Sequence, residues 1–172
     1  EDWESVIYLL DWKAHYSDRF NRKDLYYRTL LDAERVLMRR KDTLGDLFHE
    51  YWVTNQLRWG KYYYDRGDWA RALDKYGGIN AYLLERPEPN DEDLSSIANA
   101  YTSMGVIHRD QGAFDLAQAF FLKSIDYEAL RGPKAVNSGF VAIAHKHLGD
   151  LFFKTEAYPR ALDHYRKAIG IY

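Results

Sequence analysis

Two apolar faces with helical spacing lie at the start of the chain. The first has the i, i+4, i+7, i+11 spacing of a buried helical stripe and comprises Trp3, Ile7, Leu10 and Ala14. The second comprises Tyr27, Leu30, Leu31, Ala33 and Leu37. The polar segment 16–24 between them is expected to turn, and the basic residues 39–41 suit the C-terminus of a helix. Residues 1–41 are therefore predicted to form a pair of helices.

Capping residues and glycines divide the next part of the chain. Asp42 or Thr43 is predicted to cap a helix that runs to about residue 66. Gly67-Asp68 is predicted to form the turn before a partner helix that begins at Trp69. Gly77-Gly78 lies inside that partner, where each glycine costs on the order of 1 kcal/mol relative to alanine. We therefore expect a close neighbour or a bend to compensate.

Two more helix pairs are predicted in the remaining chain. The acidic segment 85–93 is expected to be a loop, with Asn90 as the N-cap of the next helix and acidic residues 91–93 in its first turn. These carboxylates lack the spacing of a calcium-binding loop, so we interpret them as a solvated cap. Gly132-Pro133 is expected to close the third pair, and the fourth runs from about residue 134 to the end.

Three glycines are followed by the same pattern of side chains. An aromatic residue stands nine positions after each glycine, an alanine twelve after and another aromatic sixteen after. The sets are Gly60, Trp69, Ala72 and Tyr76; Gly105, Phe114, Ala117 and Phe121; and Gly149, Tyr158, Ala161 and Tyr165. Aromatic residues make up only 16% of the chain, so a chance match at all six aromatic positions is improbable. The pattern indicates an internal repeat of 44 to 45 residues.

Small residues at these positions suit the packing of two antiparallel helices. Gly105 on one helix and Ala117 on the next are expected to let the backbones meet, with Phe114 and Phe121 filling the flanks. The alternative is an ordinary helical bundle in which the glycines fall by chance.

The repeat resembles the tetratricopeptide repeat (TPR), whose pattern contains a Leu-Gly pair, then a Tyr, an Ala and a Phe. The Leu-Gly pair corresponds to Trp59-Gly60, Met104-Gly105 and Leu148-Gly149, and the Tyr to Tyr63, His108 and Phe152. The usual first Trp is replaced by Gln56, Tyr101 and His145. The long repeat is similar to the branch that includes kinesin light chains, polarity adaptors and bacterial peptide-pheromone receptors. The resemblance implies an all-α fold, an α-solenoid of antiparallel helix pairs in a right-handed superhelix.

On this interpretation, residues 1–172 form one TPR-like domain. It has a degenerate helical pair at 1–41 and repeats at 42–89, 90–132 and 133–172. The first pair is either an eroded fourth repeat or an unrelated capping hairpin. Because the sequence lacks an initiator Met and stops at the end of a second helix, we expect it to be a fragment of a longer protein.

The resemblance also implies a binding surface, since the first helices of stacked pairs line a concave groove for a peptide or partner helix. The family's groove positions correspond to Leu57, Lys61, Tyr64, Asn99, Thr102, Val106, Arg109, Lys146, Asp150 and Phe153. Asn99 and the cations can hydrogen-bond a peptide, while Tyr64 and Phe153 can receive apolar anchors. Alternatively, these residues are solvated surface. The Lys and Asn with which chaperone-binding members hold a C-terminal carboxylate are missing from the matching positions.

Composition restricts the possible partners. A net charge of −2 without a basic block argues against nucleic acid. No apolar run reaches the length of a membrane span, and the start does not resemble a signal peptide, so we expect a cytoplasmic protein that does not enter membranes. The chain has no Cys and therefore neither a disulfide nor a thiolate metal site.

No catalytic motif is visible in the sequence, which lacks a Gly-rich phosphate loop and an HExxH pair. We therefore expect no catalytic residue, metal or cofactor. His145 and His147 are two residues apart, which places them on different helix faces and argues against joint metal binding. His108 occupies a repeat position and is expected to be a packed core residue, or alternatively a group that titrates near neutral pH.

The predicted function is a non-catalytic protein–protein interaction scaffold that binds a peptide or a partner helix. One alternative is a ligand- or peptide-gated sensor domain of a larger signalling protein. Another is an accessory domain of an enzyme whose catalytic part lies outside this chain. Self-association through exposed end faces is also expected, with contacts at Trp3 and Ile7 or at Tyr165, Ile169 and Tyr172.

Overall fold

The computed structural model describes residues 2–171, and every regular element within that range is helical. The eight α-helices of these residues are α1 Trp3–Arg19, α2 Lys23–Leu44, α3 Asp46–Tyr64, α4 Trp69–Leu84, α5 Asp91–Asp110, α6 Phe114–Ala129, α7 Gly139–Lys154 and α8 Tyr158–Ile171. A short 3-10 helix, Ala135–Asn137, precedes α7. Adjacent helices pack together, α1 on α2, α5 on α6 and α7 on α8. The all-α prediction is confirmed.

The chain divides into two compact units, Glu1–Lys75 and Tyr76–Tyr172, with the boundary inside α4. In the first unit, α1, α2 and α3 pack around two apolar clusters, Ile7, Leu37, Leu44 and Phe48, and Ala14, Tyr26, Leu30 and Trp59. In the second unit, α6, α7 and α8 enclose a cluster of Ala117, Phe121, Leu148, Leu151, Phe152 and Ala161.

The first helix pair extends further than its polar residues suggest. Helix α1 continues through Arg19, so the predicted turn at 16–24 is wrong at its start and only residues 20–22 separate the two helices. Helix α2 continues to Leu44, because this side chain is buried against Phe48 and extends the apolar face by another turn. The repeat boundary predicted at residue 42 therefore falls inside α2.

The predicted cap of α3 is wrong. Asp42 and Thr43 lie within α2, where the Thr43 hydroxyl donates a hydrogen bond to the Arg40 carbonyl at 2.9 Å. Helix α3 instead follows Gly45, whose φ of +53° lies in the left-handed region that glycine adopts readily.

The predicted turn at Gly67 and the predicted N-cap at Asn90 are confirmed. Gly67 lies in the α3–α4 turn, and Asn90 caps α5 by accepting hydrogen bonds from the backbone N–H groups of Glu92 and Asp93, each at 2.9 Å. The Asp93 carboxylate accepts in return from the Asn90 backbone at 3.0 Å, which completes a reciprocal cap. The expectation of a solvated cap is wrong for Asp93, which is buried and lies 3.2 Å from the Arg86 guanidinium. Helix α4 runs through Gly77-Gly78, and the close neighbour expected there is missing among the described residues, since no neighbouring atom lies within 4 Å of a Cβ placed on either glycine.

In the second and third repeats, the glycine lies under the aromatic residue that follows sixteen positions later. A Cβ on Gly105 would lie 2.6 Å from the Phe121 ring, and one on Gly149 would lie 2.5 Å from the Tyr165 ring. The expected close partner of Gly105 was Ala117, but the space above Gly105 is filled by Phe121, which is fully buried. The spacing of glycine and aromatic therefore reflects a direct contact between α5 and α6 and between α7 and α8.

Candidate functional site

Three of the ten predicted groove residues meet in the second unit. Arg109 lies at the end of α5, while Lys146 and Asp150 lie one turn apart on α7. The Asp150 Oδ2 is 3.3 Å from Lys146 Nζ and 3.8 Å from Arg109 Nη1. Together with three neighbours they form a group of polar side chains that we call the α5–α7 cluster, comprising Arg109, Asp110, Lys146, His147, Asp150 and Tyr165.

Arg109 joins α5 to α7 and is largely used by internal contacts. Its Nε and Nη2 donate to the Asp110 carboxylate at 3.0 and 2.9 Å, and its Nη1 donates to His147 Nδ1 at 3.1 Å. Only 15% of the side chain is exposed. Arg109 therefore serves to hold the two helices in register more than to offer a positive charge to a ligand.

His147 is neutral at pH 7 and carries its proton on Nε2. Burial, followed by the positive charges of Arg109 and Lys146, lowers the pKa of His147 from 6.5 to about 4. Since a guanidinium can only donate, His147 Nδ1 must be the acceptor of the Arg109 hydrogen bond. The ring also stacks on Phe121, with centroids 5.3 Å apart. Sequence reasoning missed this role, because Arg109 is 38 residues away along the chain.

Asp150 connects three helices. Its Oδ1 accepts a hydrogen bond from the Tyr165 hydroxyl of α8 at 2.9 Å, while its Oδ2 faces Lys146 and Arg109. Burial, and then the hydrogen bond to Asp150, raise the pKa of Tyr165, which keeps this phenol protonated as the donor. The carboxylate position is thereby fixed by α5, α7 and α8 together.

An apolar hollow of about 240 Å³ opens beside this cluster, between α7 and α8. It is lined by Ala142, Lys146, Tyr165, Ala168 and Ile169. The Lys146 side chain is 61% exposed, so its ammonium group is accessible next to the apolar lining. Phe153 lies seven residues further along the same face of α7, is 59% exposed and meets Tyr158 edge-on at 5.5 Å. The surface combines one cation with apolar contacts.

The predicted groove residues of α5 take part mainly in helix packing. The Thr102 hydroxyl is hydrogen-bonded to the Ser124 hydroxyl of α6 at 2.7 Å. Val106 packs against the core cluster of the second unit, and Asn99 is half-buried. The structure therefore uses Thr102 and Val106 to support α5, and it brings Arg109 of this helix to α7.

The first unit contains the remaining predicted groove residues, Leu57, Lys61 and Tyr64. Leu57 and Tyr64 are half-buried. The Lys61 ammonium group binds the carboxylates of Asp18 at 3.2 Å and Asp65 at 2.6 Å. Burial by itself would lower the pKa of Lys61, but the hydrogen bonds to Asp65 and Asp18 raise it above its usual value. Lys61 is therefore a paired cation that links α1 to α3.

The residues predicted for self-association differ in their exposure. Ile7 is buried in the core of the first unit, so the expectation that it mediates self-association is wrong. At the other end of the chain, Ile169 is exposed, whereas the Tyr165 hydroxyl is bound to Asp150. Tyr172 lies outside the described residues.

The other histidines have structural neighbours. His145 Nδ1 lies 3.1 Å from His164 Nδ1 across α7 and α8, so it has a different partner from His147. His108 is half-buried and stacks on Phe120 with centroids 5.2 Å apart. Within residues 2–171, no three His, Cys, Asp or Glu side chains are placed to hold a metal ion.

No helix in the described part of the chain has both the length and the apolar character to cross a membrane. No protein-family model matches this chain, and no curated protein is significantly similar to it.

Proposed function

We propose that this chain is a non-catalytic protein–protein interaction scaffold of the long-repeat TPR type, an α-solenoid that acts in the cytoplasm. The observation that supports binding is the apolar hollow between α7 and α8, which has the exposed ammonium group of Lys146 at its edge. A concave apolar site with a few well-placed polar groups is the usual form of a recognition site. That Leu57, Lys61 and Tyr64 of the first unit also contact a partner stays a separate prediction.

The ligand that fits this surface is a peptide or helix with an acidic residue beside an apolar one. The hollow has room for one large aliphatic or aromatic side chain, and Lys146 can bind the neighbouring carboxylate. Phe153 adds a second apolar contact about 10 Å along α7, as expected from a rise of 1.5 Å per residue over seven residues. An extended peptide spans that distance in about three residues, because each adds about 3.3 Å.

The α5–α7 cluster makes this surface rigid. Asp150 draws Lys146 toward one position, and Tyr165 and Arg109 in turn fix Asp150. A side chain that is already ordered loses less conformational entropy when a ligand binds. We therefore assign the cluster a positioning role, with Lys146 as the group that contacts the ligand.

The test is selection from a random peptide library displayed on phage, followed by affinity measurements on the selected peptides. We expect peptides enriched in acidic and large apolar residues. Lys146→Glu should weaken their binding at least about tenfold, because it replaces attraction by repulsion. Lys154→Glu is the matched control, since Lys154 is an exposed lysine at the end of the same helix and lies outside the hollow.

Two results would contradict this proposal. One is a library that yields no specific peptide. The other is equal loss of affinity for Lys146→Glu and Lys154→Glu, which would show that only general charge matters. A change in backbone hydrogen exchange far from α7 and α8 upon binding would favour the alternative of a peptide-gated sensor.

A further inference from the structure

Helix α1 carries apolar side chains on two opposite faces. The inner face contains Ile7 and Ala14, each only 2% exposed, and the Trp3 ring lies under the Arg40 guanidinium at 4.2 Å. The outer face, continued by Phe20 directly after the helix, carries five large apolar side chains that are 37% to 66% exposed, Tyr8, Leu9, Trp12, Tyr16 and Phe20. Burial in the core therefore accounts for the inner face alone.

The aromatic side chains of this outer face contact one another. Trp12 and Tyr16 contact each other with ring centroids 4.4 Å apart, and Tyr16 stacks on Phe20 at 6.1 Å with an interplanar angle of 16°. The five side chains expose on the order of 500 Å² together, since large apolar side chains each cover about 150–250 Å² and about half of each is free. A patch of this size is similar to the largest apolar patch of a typical monomer, which often has a function.

The charges at the two ends of the outer face are complementary. Glu4 lies about 12 Å before Trp12 along the helix axis and Arg19 about 10 Å after it, from a rise of 1.5 Å per residue. Around the helix, Arg19 lies about 20° from Trp12 and Glu4 about 80° from it on the same side, so Glu4 is at the flank of the outer face. Both are exposed, and neither forms an ion pair with another residue in the described range 2–171.

These positions select one arrangement of two α1 helices. If α1 of a second copy lies antiparallel with Trp12 opposite Trp12, Glu4 of each copy comes next to Arg19 of the other. A two-fold parallel arrangement would bring the two Arg19 side chains next to each other, which is unfavourable, and would place the two Glu4 side chains on opposite flanks without a partner. The apolar row remains in contact in the antiparallel arrangement, in which the exposed Lys13 side chains of the two copies lie on the same flank. Its area of about 500 Å² per copy is below the roughly 800 Å² per partner of a standard interface, so the dimer is expected to be weak.

We propose that the outer face of α1 binds the same face of a second copy, and that two chains associate as an antiparallel, two-fold symmetric dimer. Tyr8, Leu9, Trp12, Tyr16 and Phe20 form the apolar centre of the interface, and two Glu4–Arg19 pairs form its rim. The interface is self-complementary, as two-fold symmetry requires. It uses other residues than the proposed peptide-binding hollow, so either proposal can fail without the other.

The first test is sedimentation velocity of the full chain over a concentration range from about 1 to about 200 μM, the range in which weak dimers dissociate. The wild type is expected to dimerise, and Trp12→Glu is expected to be monomeric because it buries a charge at the centre of the interface. Leu116→Glu on α6 is the matched control, since Leu116 is 53% exposed and Trp12 is 52% exposed. Circular dichroism verifies that each variant keeps its helix content.

The second test is a charge exchange. Glu4→Arg should weaken dimerisation about tenfold, because the new guanidinium group of each copy then faces Arg19 of the other. Glu4→Arg combined with Arg19→Glu should restore the wild-type affinity. A wild type that stays monomeric throughout the range would overturn the proposal. A Trp12→Glu variant that still dimerises, or a double variant without recovery, would also overturn it.

Discussion

His147 is held neutral between two cations, and this costs the protein stability in acid. Arg109 donates a hydrogen bond to its Nδ1, and Lys146 is the adjacent residue on α7. Asp150 and Asp110 offset part of the positive charge, but burial and the two cations keep the pKa of His147 at about 4. The unfolded chain binds a proton at this histidine below about pH 6.5, whereas the folded chain does so only near pH 4.

We predict that the free energy of unfolding falls between pH 6.5 and pH 4, because the unfolded state binds more protons over that interval. The loss of stability caused by His147 should be on the order of 2–3 kcal/mol at pH 4. Urea unfolding of the wild type and of His147→Gln at pH 7 and pH 4 measures it. The glutamine side chain can still accept from Arg109 but does not titrate, so the variant should lose less stability in acid.

His145 on α7 and His164 on α8 are unchanged in the His147→Gln variant and serve as an internal reference. Burial, and for His145 the nearby His164, lower the pKa of both groups, so they also weaken the fold in acid. The difference between wild type and variant isolates His147. Equal acid sensitivity of the two proteins would contradict the neutral state assigned to His147.

The contact between helices within a pair depends on the repeated glycines. Gly105 of α5 lies beneath Phe121 of α6, and Gly149 of α7 lies beneath Tyr165 of α8. In contrast, Gly77 of α4 has no neighbouring atom within 4 Å of an added Cβ. The same substitution should therefore have opposite effects at the two kinds of position.

We predict that Gly105→Ala destabilises the protein and that Gly77→Ala stabilises it. At Gly105 an overpacking cost of about 1–3 kcal/mol exceeds the helix-propensity gain of up to about 1 kcal/mol, because the buried Phe121 ring has little room to move. At Gly77 only the helix-propensity gain remains, which is about 0.5–1 kcal/mol. Thermal and urea unfolding measure both. Stabilisation by Gly105→Ala would show that the Phe121 ring can shift freely.

The second compact unit has its own core, and its helices pack on their neighbours along the chain. Helix α6 contacts α5 and α7, and α7 contacts α8. The buried carboxylate of Glu128 adds a link to the α6–α7 connection, since it binds Arg131 at 2.8 Å and accepts from the Ser138 hydroxyl at 2.9 Å. Stability in such an arrangement comes mostly from contacts between neighbouring elements.

We predict that a fragment of residues 69–172, which begins with the first residue of α4, folds without the preceding chain. It contains the complete second unit and the intact helix α4. Far-UV circular dichroism should show a helical protein with a cooperative urea transition, and Gly105→Ala should destabilise the fragment about as much as the full chain. A fragment with little helix or without a cooperative transition would show that the second unit needs the first.

The sequence predicted a helix correctly where the residues that determine its start or its apolar face lie within or directly beside that helix. The apolar spacing indicated the helices, and Asn90 with Asp93 indicated the start of α5. The end of α2 was missed, because Asp42 and Thr43 resemble caps locally while the burial of Leu44 against Phe48 prolongs the helix. Tertiary burial outweighed the capping preference at that point.

The candidate site was less accessible to sequence reasoning. The positions of Lys146, Asp150 and Arg109 were predicted, but Arg109 was expected to face a ligand and is instead bound to Asp110 and His147. The hollow beside Lys146 was missed, because its lining combines side chains from α7 and α8. Its existence depends on the distance and rotation between those helices, which spacing along the chain does not fix.

By itself, the sequence determined the helical class, most helix boundaries and the glycine–aromatic spacing, since these follow from backbone geometry and from contacts between nearby segments. The buried face of α1 was also predicted from the spacing of Ile7 and Ala14, both of which are buried. Only the tertiary structure decided which partner each charge takes and where the hollow lies. The reason is that these contacts join side chains of different helices, and their positions depend on how the neighbouring helices are oriented.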